Sequence, residues 1–369
     1  MPSPYPVTSR GRVRRAGVAA AVAVAPFAFA WRFAHVYRTR AGFPRQHPPT
    51  FDPGALGLPF EVLTVATPDG LALPAWWIPA RGGEPGPAVV LVHGWESGRH
   101  RTLPNAQVLH AIGYHVLTLD IRGHGANPAE ELPVSAGEFG SDALAGVDAA
   151  LARPDVTSVA VLGHSMGAVG AILAAAAEPR VAAAILTATP ADPYRLTRQT
   201  FRLARLPIPD PIAYPLAWLT TRVYLQPRGH EVEAVSATVA IRRYAGPILA
   251  IHGTEDRVVP VGHLARLAAA ARSARADLGD AAAPVETLVI PGGPHSWMYE
   301  YPAYRETVAR FLATSLGGPL EPEAAARAAV AVDVRRPPDD DRRFGALDDL
   351  DGAVGGPAGP GPATAEVHP

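Results

Sequence analysis

Gly163-His164-Ser165-Met166-Gly167 is the stretch that decides how this chain folds. The apolar run 157–162 leads into it and the small-residue run 168–177 leads out. The pattern predicts a strand, a sharp turn and a helix, with a serine at the turn. Such a turn lifts Ser165 above the end of a sheet, where its hydroxyl can meet a base. Gly163 and Gly167 let the backbones cross closely around it. His164 lies within the same turn, its side chain pointing down from the serine. The amide of Met166, at the helix N-terminus, is placed to donate to a developing oxyanion.

Outward from this turn, apolar and helical runs alternate. Residues 60–67 and 71–78, joined at Asp69-Gly70, predict an antiparallel hairpin. Residues 88–92, 115–120, 157–162, 181–187, 247–251 and 284–290 read as strands. Helices are expected around 107–112, 142–151, 264–274 and 301–315. Continuous apolar strands alternating with helices imply a mostly parallel central sheet covered on both faces, an α/β fold. Residues 190–244, rich in Pro, Leu, Arg and aromatics, interrupt the rhythm and predict a small helical cap. The catalytic domain is expected over 58–316, after a Pro-rich linker at 41–57. From 317 to 369 the Pro, Gly and Asp content, with Asp339, Asp340 and Asp341, predicts a disordered tail.

The N-terminal 40 residues carry a different signal. Arg10, Arg12, Arg14 and Arg15 precede the uncharged apolar stretch 16–31. A basic segment followed by an apolar one predicts a membrane anchor, with the catalytic domain leaning extracytoplasmic. Ala28-Phe29-Ala30 offers the alternative of a cleaved signal and a secreted protein. The 369 residues hold no cysteine, which excludes disulfides, a thiolate nucleophile and Cys-based metal sites. Net charge is −1 and no basic run suggests a nucleic-acid partner. All 33 basic residues are arginine.

A serine nucleophile needs a base, the base an orienting acid, and the oxyanion two donors. His295, in Pro291-Gly292-Gly293-Pro294-His295, follows the last strand at the sheet edge where α/β active sites lie. His93, His164 and His252 read as structural, while His124, expected to be exposed in a Gly-rich loop, remains a rival. Asp256 follows the preceding strand and is favoured over Glu255 as the acid. The amides of Trp95, after Val92-His93-Gly94, and of Met166 would form the oxyanion hole. No metal or cofactor is needed.

Five pieces stand in one order: His93-Gly94-Trp95, Asp120-Ile121-Arg122-Gly123-His124-Gly125, the Ser165 turn, His252-Gly253-Thr254-Glu255-Asp256, and Gly293-Pro294-His295. In these the chain resembles the α/β-hydrolase superfamily of serine hydrolases, over about 58–316. It is most similar to the monoacylglycerol-lipase-like and serine aminopeptidase S33 group, which includes small membrane-anchored members. The resemblance implies the α/β-hydrolase fold and an ester or thioester hydrolase acting through an acyl-enzyme on Ser165, with a small-molecule or lipid-like substrate. Ser165 excludes the Asp-nucleophile dehalogenases and most epoxide hydrolases. Peptidase activity is not expected, because Met166 replaces the Trp usual after the serine of prolyl aminopeptidases. Acyl transfer or perhydrolysis by the same triad, or a silent membrane-tethered scaffold, are the alternatives. In the cap, Arg195, Arg198, Arg202 and Arg205 are spaced to share a helix face, which predicts a basic stripe that contacts anionic lipid.

Overall fold

The computed structural model describes residues 9–276, 283–336 and 366–368. The expected hairpin is β1 (Glu61–Ala66) and β2 (Ala72–Ile78), paired antiparallel, with Gly70 at φ 86° in the turn. Next come β3 (Gly86–Val92), β4 (His115–Leu119), β5 (Val156–His164), β6 (Val181–Thr187), β7 (Ile248–Gly253) and β8 (Val285–Ile290). A short β9 (Glu366–His368) adds antiparallel to β8. The sheet order is β1-β2-β4-β3-β5-β6-β7-β8-β9. β4, β3, β5, β6, β7 and β8 are mutually parallel, so their C-terminal ends share one edge.

The helices are α1 (Ser9–Ala41), α2 (Leu103–Ala111), α3 (Ala136–Leu151), α4 (Met166–Ala177), α5 (Pro193–Leu203), α6 (Asp210–Leu225), α7 (Ala237–Arg243), α8 (Gly262–Arg275), α9 (Pro302–Leu316) and α10 (Pro322–Ala331). Strand alternation sorts the core into two layers. Val90, Val92, Leu117, Leu119 and Val161 face α3, α4 and α8. Val89, Leu91, Val116, Ala160 and Leu162 face α2, α9 and α10. Arg122, beyond β4, ties the layers to the loops by pairing with Asp142 at 2.5 Å and Asp69 at 2.6 Å.

Three segments depart from expectation. The tail at 317–369 does not begin as disorder: α10 buries Ala325, Ala326 and Ala329 against α9 and α2. Its start has a favourable first-turn proline, and alanines spaced three and four apart give a smooth, helix-favouring face. The acidic run at Asp339, Asp340 and Asp341 lies outside the described residues. Second, α1 runs well past the apolar stretch 16–31. Residues 18–29 are exposed, but from Ala30 onward the helix docks on the cap. Phe33 and Tyr37 meet the Phe201 ring edge to face at 5.3 and 5.9 Å, and the Tyr37 and Thr200 hydroxyls are 2.8 Å apart. The linker after it is tied down too, with Val134 N donating to Gly42 O at 2.8 Å.

Third, three of the four arginines of the basic stripe on the cap are paired with carboxylates. Arg195 pairs with Asp192 at 3.1 Å, and Arg198 is buried against Asp210, which also meets Arg202 at 3.4 Å. Arg205 lies beyond the end of α5 at φ 53°. Asp210 opens α6, and the Pro207 to Pro209 bend folds it back onto α5, where it meets Arg198 and Arg202. Beside charged groups such as Arg202, Arg205 and Arg222, the cap exposes large apolar side chains: Leu206, Ile212, Tyr214 and Trp218.

Candidate active site

β5 ends at His164 and α4 begins at Met166, so Ser165 alone makes the turn. It sits at φ 54°, ψ −120°, a backbone state that non-glycine residues hold only when their surroundings enforce it. The enforcement is visible. Ser165 N donates to Thr187 O at 2.9 Å, and α4 lies so close to β3 that a Cβ on Gly167 would stand 2.2 Å from His93 O. A Cβ on Gly163 would stand 2.3 Å from Gly167 O. Both glycines of the turn are therefore required by space.

The loops after β7 and β8 bring Asp256 and His295 to this point. His295 Nδ1–H donates to Asp256 Oδ2 at 2.8 Å, leaving Nε2 to accept from the Ser165 hydroxyl at 3.0 Å. Asp256 is buried, while Glu255 points to solvent. The second carboxylate oxygen of Asp256 accepts from Val258 N at 3.0 Å and Val259 N at 2.7 Å. Burial raises the carboxyl's pKa, but the charges of His295 and His252 and the hydrogen bonds from their rings outweigh it and hold Asp256 well below the usual carboxylate range. Asp256 is thus ionised and fixed at neutral pH.

The other histidines take distinct places. His164 Nε2 donates to the His295 carbonyl at 2.8 Å, and its ring lies 4.9 Å from that of His295. Burial pulls its pKa down to about 3, so it stays neutral and braces the loop that carries His295. His93 accepts from Ile121 N at 3.0 Å and donates to Gly94 O at 2.7 Å, linking the loops after β3 and β4. His124, expected to be exposed, is fully buried against His93, Trp95 and Phe139 and is far from a rival base. The Gly123–Gly125 turn folds it inward, because Asp120 under that turn accepts from Ala126 N at 2.9 Å. His252 does more than expected: its Nε2 lies 3.2 Å from Asp256 Oδ2 and donates to Val259 O at 2.7 Å. The four-residue spacing from Asp256 was the available signal for that contact.

Ser165 borders two cavities. One, of about 100 Å³, is lined by Glu96, Arg101, Asn105, His295 and Trp297 among others. The other, of about 570 Å³, is lined mainly by apolar side chains of α1, α4, α5 and α6. Trp95 borders both, and Met166 the larger. Gly94 packs against Ser165 Cβ, which sets Trp95 beside the serine. Among the described residues there is no cluster of His, Asp and Glu able to hold a metal ion.

The serine aminopeptidase S33 family profile matches residues 83–238. An uncharacterised protein of Mycobacterium tuberculosis is 30% identical over 236 residues, spanning 63% of this chain and 72% of its own. The sn-1-specific diacylglycerol lipase ABHD11 of Xenopus tropicalis is 34% identical over 101 residues, 27% of this chain and 30% of its own. Among solved structures, the Pyrococcus furiosus esterase Pf2001 superposes with a TM-score of 0.58 at 22% identity, covering 74% of this chain and 97% of that one. The mycobacterial match, the S33 profile across the serine turn and the shared sheet agree, and the chain belongs to the α/β-hydrolase superfamily, as a hydrolase of that type.

Proposed function

We propose that this protein is a membrane-anchored serine hydrolase that cleaves lipid-like carboxylic esters or thioesters through an acyl-enzyme on Ser165. The observation that carries it is the unbroken relay Ser165–His295–Asp256, at 3.0 and 2.8 Å, beside a large apolar cavity. His295 Nε2 takes the serine proton as Oγ attacks the substrate carbonyl. The amides of Trp95 and Met166 hold the oxyanion, and the ionised Asp256 stabilises the imidazolium. Collapse breaks the ester bond, and the departing alcohol takes its proton from His295. Water then attacks the acyl-enzyme, giving a proton to His295, which returns it to Ser165 as the acid leaves.

Two further observations support the membrane and lipid parts. Val18–Ala41 is long and apolar enough to cross a bilayer. ABHD11 of X. tropicalis, matched over part of its length, is itself a diacylglycerol lipase.

The test is Ser165→Ala in the full chain. Hydrolysis of p-nitrophenyl esters should fall by about 10⁴ to 10⁶, and labelling by a fluorophosphonate probe should disappear. Retention of more than about a hundredth of the activity in a folded, clean preparation would place the nucleophile elsewhere.

A further inference from the structure

The larger cavity has an unusual wall. α4 supplies Val169 and α5 supplies Leu196, but one whole side is Phe33, Val36, Tyr37 and Arg40 of α1. This is the segment that the sequence marks as the end of a membrane anchor. It is seated firmly: besides the aromatic contacts with Phe201, Tyr37 lies 6.3 Å from the Tyr224 ring, and Tyr224 OH donates to Ala41 O at 3.3 Å.

Length decides what this seating means in a bilayer. The free apolar part of α1, residues 16–29, is about 21 Å long at 1.5 Å per residue. A hydrocarbon core is about 30 Å thick. To span it, the helix must draw residues up to about His35 below the surface, and the cap elements docked there go with it. The side chains exposed at that level fit the demand. Trp31 of α1 and Ile212, Tyr214 and Trp218 of α6 present apolar area with amphipathic rings, the composition that settles at a membrane interface.

We infer that α1 is both anchor and binding wall: its docked half closes an acyl chamber that opens at the bilayer, and the substrate is a membrane lipid whose long acyl chain lies against Val36 and Arg40. This rests on the hydrolase reading above and assigns that site its substrate class. A cavity of about 570 Å³, mostly apolar and leading from Ser165, has room for a long chain and offers little to a small polar acyl group. Phe33, Val36 and Arg40 become specificity-determining residues, though they lie in a segment that hydropathy alone reads as a tether.

The experiment measures kcat/KM for p-nitrophenyl butanoate and palmitate with the full chain in non-ionic detergent micelles, with fluorophosphonate labelling in parallel. Four variants are compared: Val36→Trp and Arg40→Trp on the α1 wall, Leu196→Trp on the cap wall, and Val22→Trp on the free half of α1. Val36 and Arg40 are exposed on one flank, so added bulk there can be accommodated without unfolding. Excluding even one methylene from an apolar pocket costs about tenfold, so the palmitate-to-butanoate ratio should fall at least that much in Leu196→Trp and in one or both α1-wall variants. Val22→Trp should keep the wild-type ratio. If Leu196→Trp lowers the ratio and neither α1-wall variant does, the chamber is used but α1 is not its wall, and the inference is overturned. An unchanged ratio in all four overturns it as well. A wild-type chain that neither labels nor hydrolyses either ester defeats the hydrolase reading itself, a result the labelling arm tells apart from the others.

Discussion

The two cavities that meet at Ser165 are made from different parts of the molecule. The small one is walled by loops leaving β3 and β8 and by the start of α2, and charged, amide and imidazole groups line it beside aromatic ones such as Trp95, Trp297 and Tyr299. The large one is walled by α1, α5, α6 and the outer face of α4, and no histidine lines it. The Ser165, His295 and Asp256 relay thus comes from the strand ends, held by the parallel sheet. The large cavity's walls come from helices inserted between β6 and β7 or added before β1, and on the proposed reading they select the substrate. Damage on the first side should reach every substrate alike, and changes on the second should sort substrates from one another.

The largest break expected on the strand-end side, after loss of the nucleophile, is Asp256→Asn. It should lower kcat/KM by about 10⁴ for butanoate and palmitate esters equally, because the amide favours the wrong His295 tautomer. Glu255→Gln, one residue away and facing solvent, should stay within about threefold of the wild type. Steady-state assays of both variants decide this; a reversed order would make Glu255 the acid and would mean that the Asp256 contact is only structural.

On the helical side the comparison sharpens in a bilayer. The chain has no cysteine, so a single nitroxide can be placed at will. A label at Ile212→Cys in reconstituted vesicles should collide mainly with oxygen, as expected about 5–10 Å below the headgroups. A label at Glu323→Cys on α10 should collide mainly with a water-soluble nickel chelate, several-fold more than the first. Equal nickel accessibility at both positions would place the cap in water and separate the large cavity from the membrane.

The smallest effect concerns protons. Burial holds His93 down to about 4 and His100, His124 and His164 down to about 3, all on the strand-end side. These folded values lie below the ordinary 6.5, so between about 6.5 and 4 the unfolded chain binds protons that the fold refuses. Stability is present above pH 6.5 or so and declines as pH falls through that window, by about 1.4 kcal/mol per unit for each such histidine. His124→Gln should flatten the fall in Tm between pH 7 and 5 by about one proton's share. A Tm that rises on acidification would show that these rings are protonated in the fold.

Much of the strand-end side was legible in the sequence because it is local. The glycines around Ser165, the apolar runs feeding each turn and the order of motifs all lie within short stretches, and the structure assembles them at one edge. His124 was misplaced because its burial depends on Asp120 and on Phe139 of a later helix, which no local pattern records. The helical side was less legible for the same reason. Arg198 looks like a free charge until the Pro207 to Pro209 bend delivers Asp210 to it. Alanines in 322–331 look like low complexity until α9 offers them a face. Residues 30–41 read as the end of a tether because their partners, Thr200, Phe201 and Tyr224, come much later in the chain.

That last separation has a consequence for how the protein is born. Tyr37 waits 163 residues for Thr200, and Arg38 waits 185 for the Val223 carbonyl it binds at 3.5 Å. At about 5–20 residues per second of synthesis, the helix leaves the ribosome roughly 10–30 seconds before its partners exist. During that interval it can be handed to the membrane as a bare apolar segment, with nothing on the chain to compete for it. The wall that completes the large cavity is therefore made first and set last. Until the cap emerges and closes on that helix, the nascent chain has no large cavity, and under the proposed membrane-anchored reading the site beside Ser165 is completed only at the bilayer.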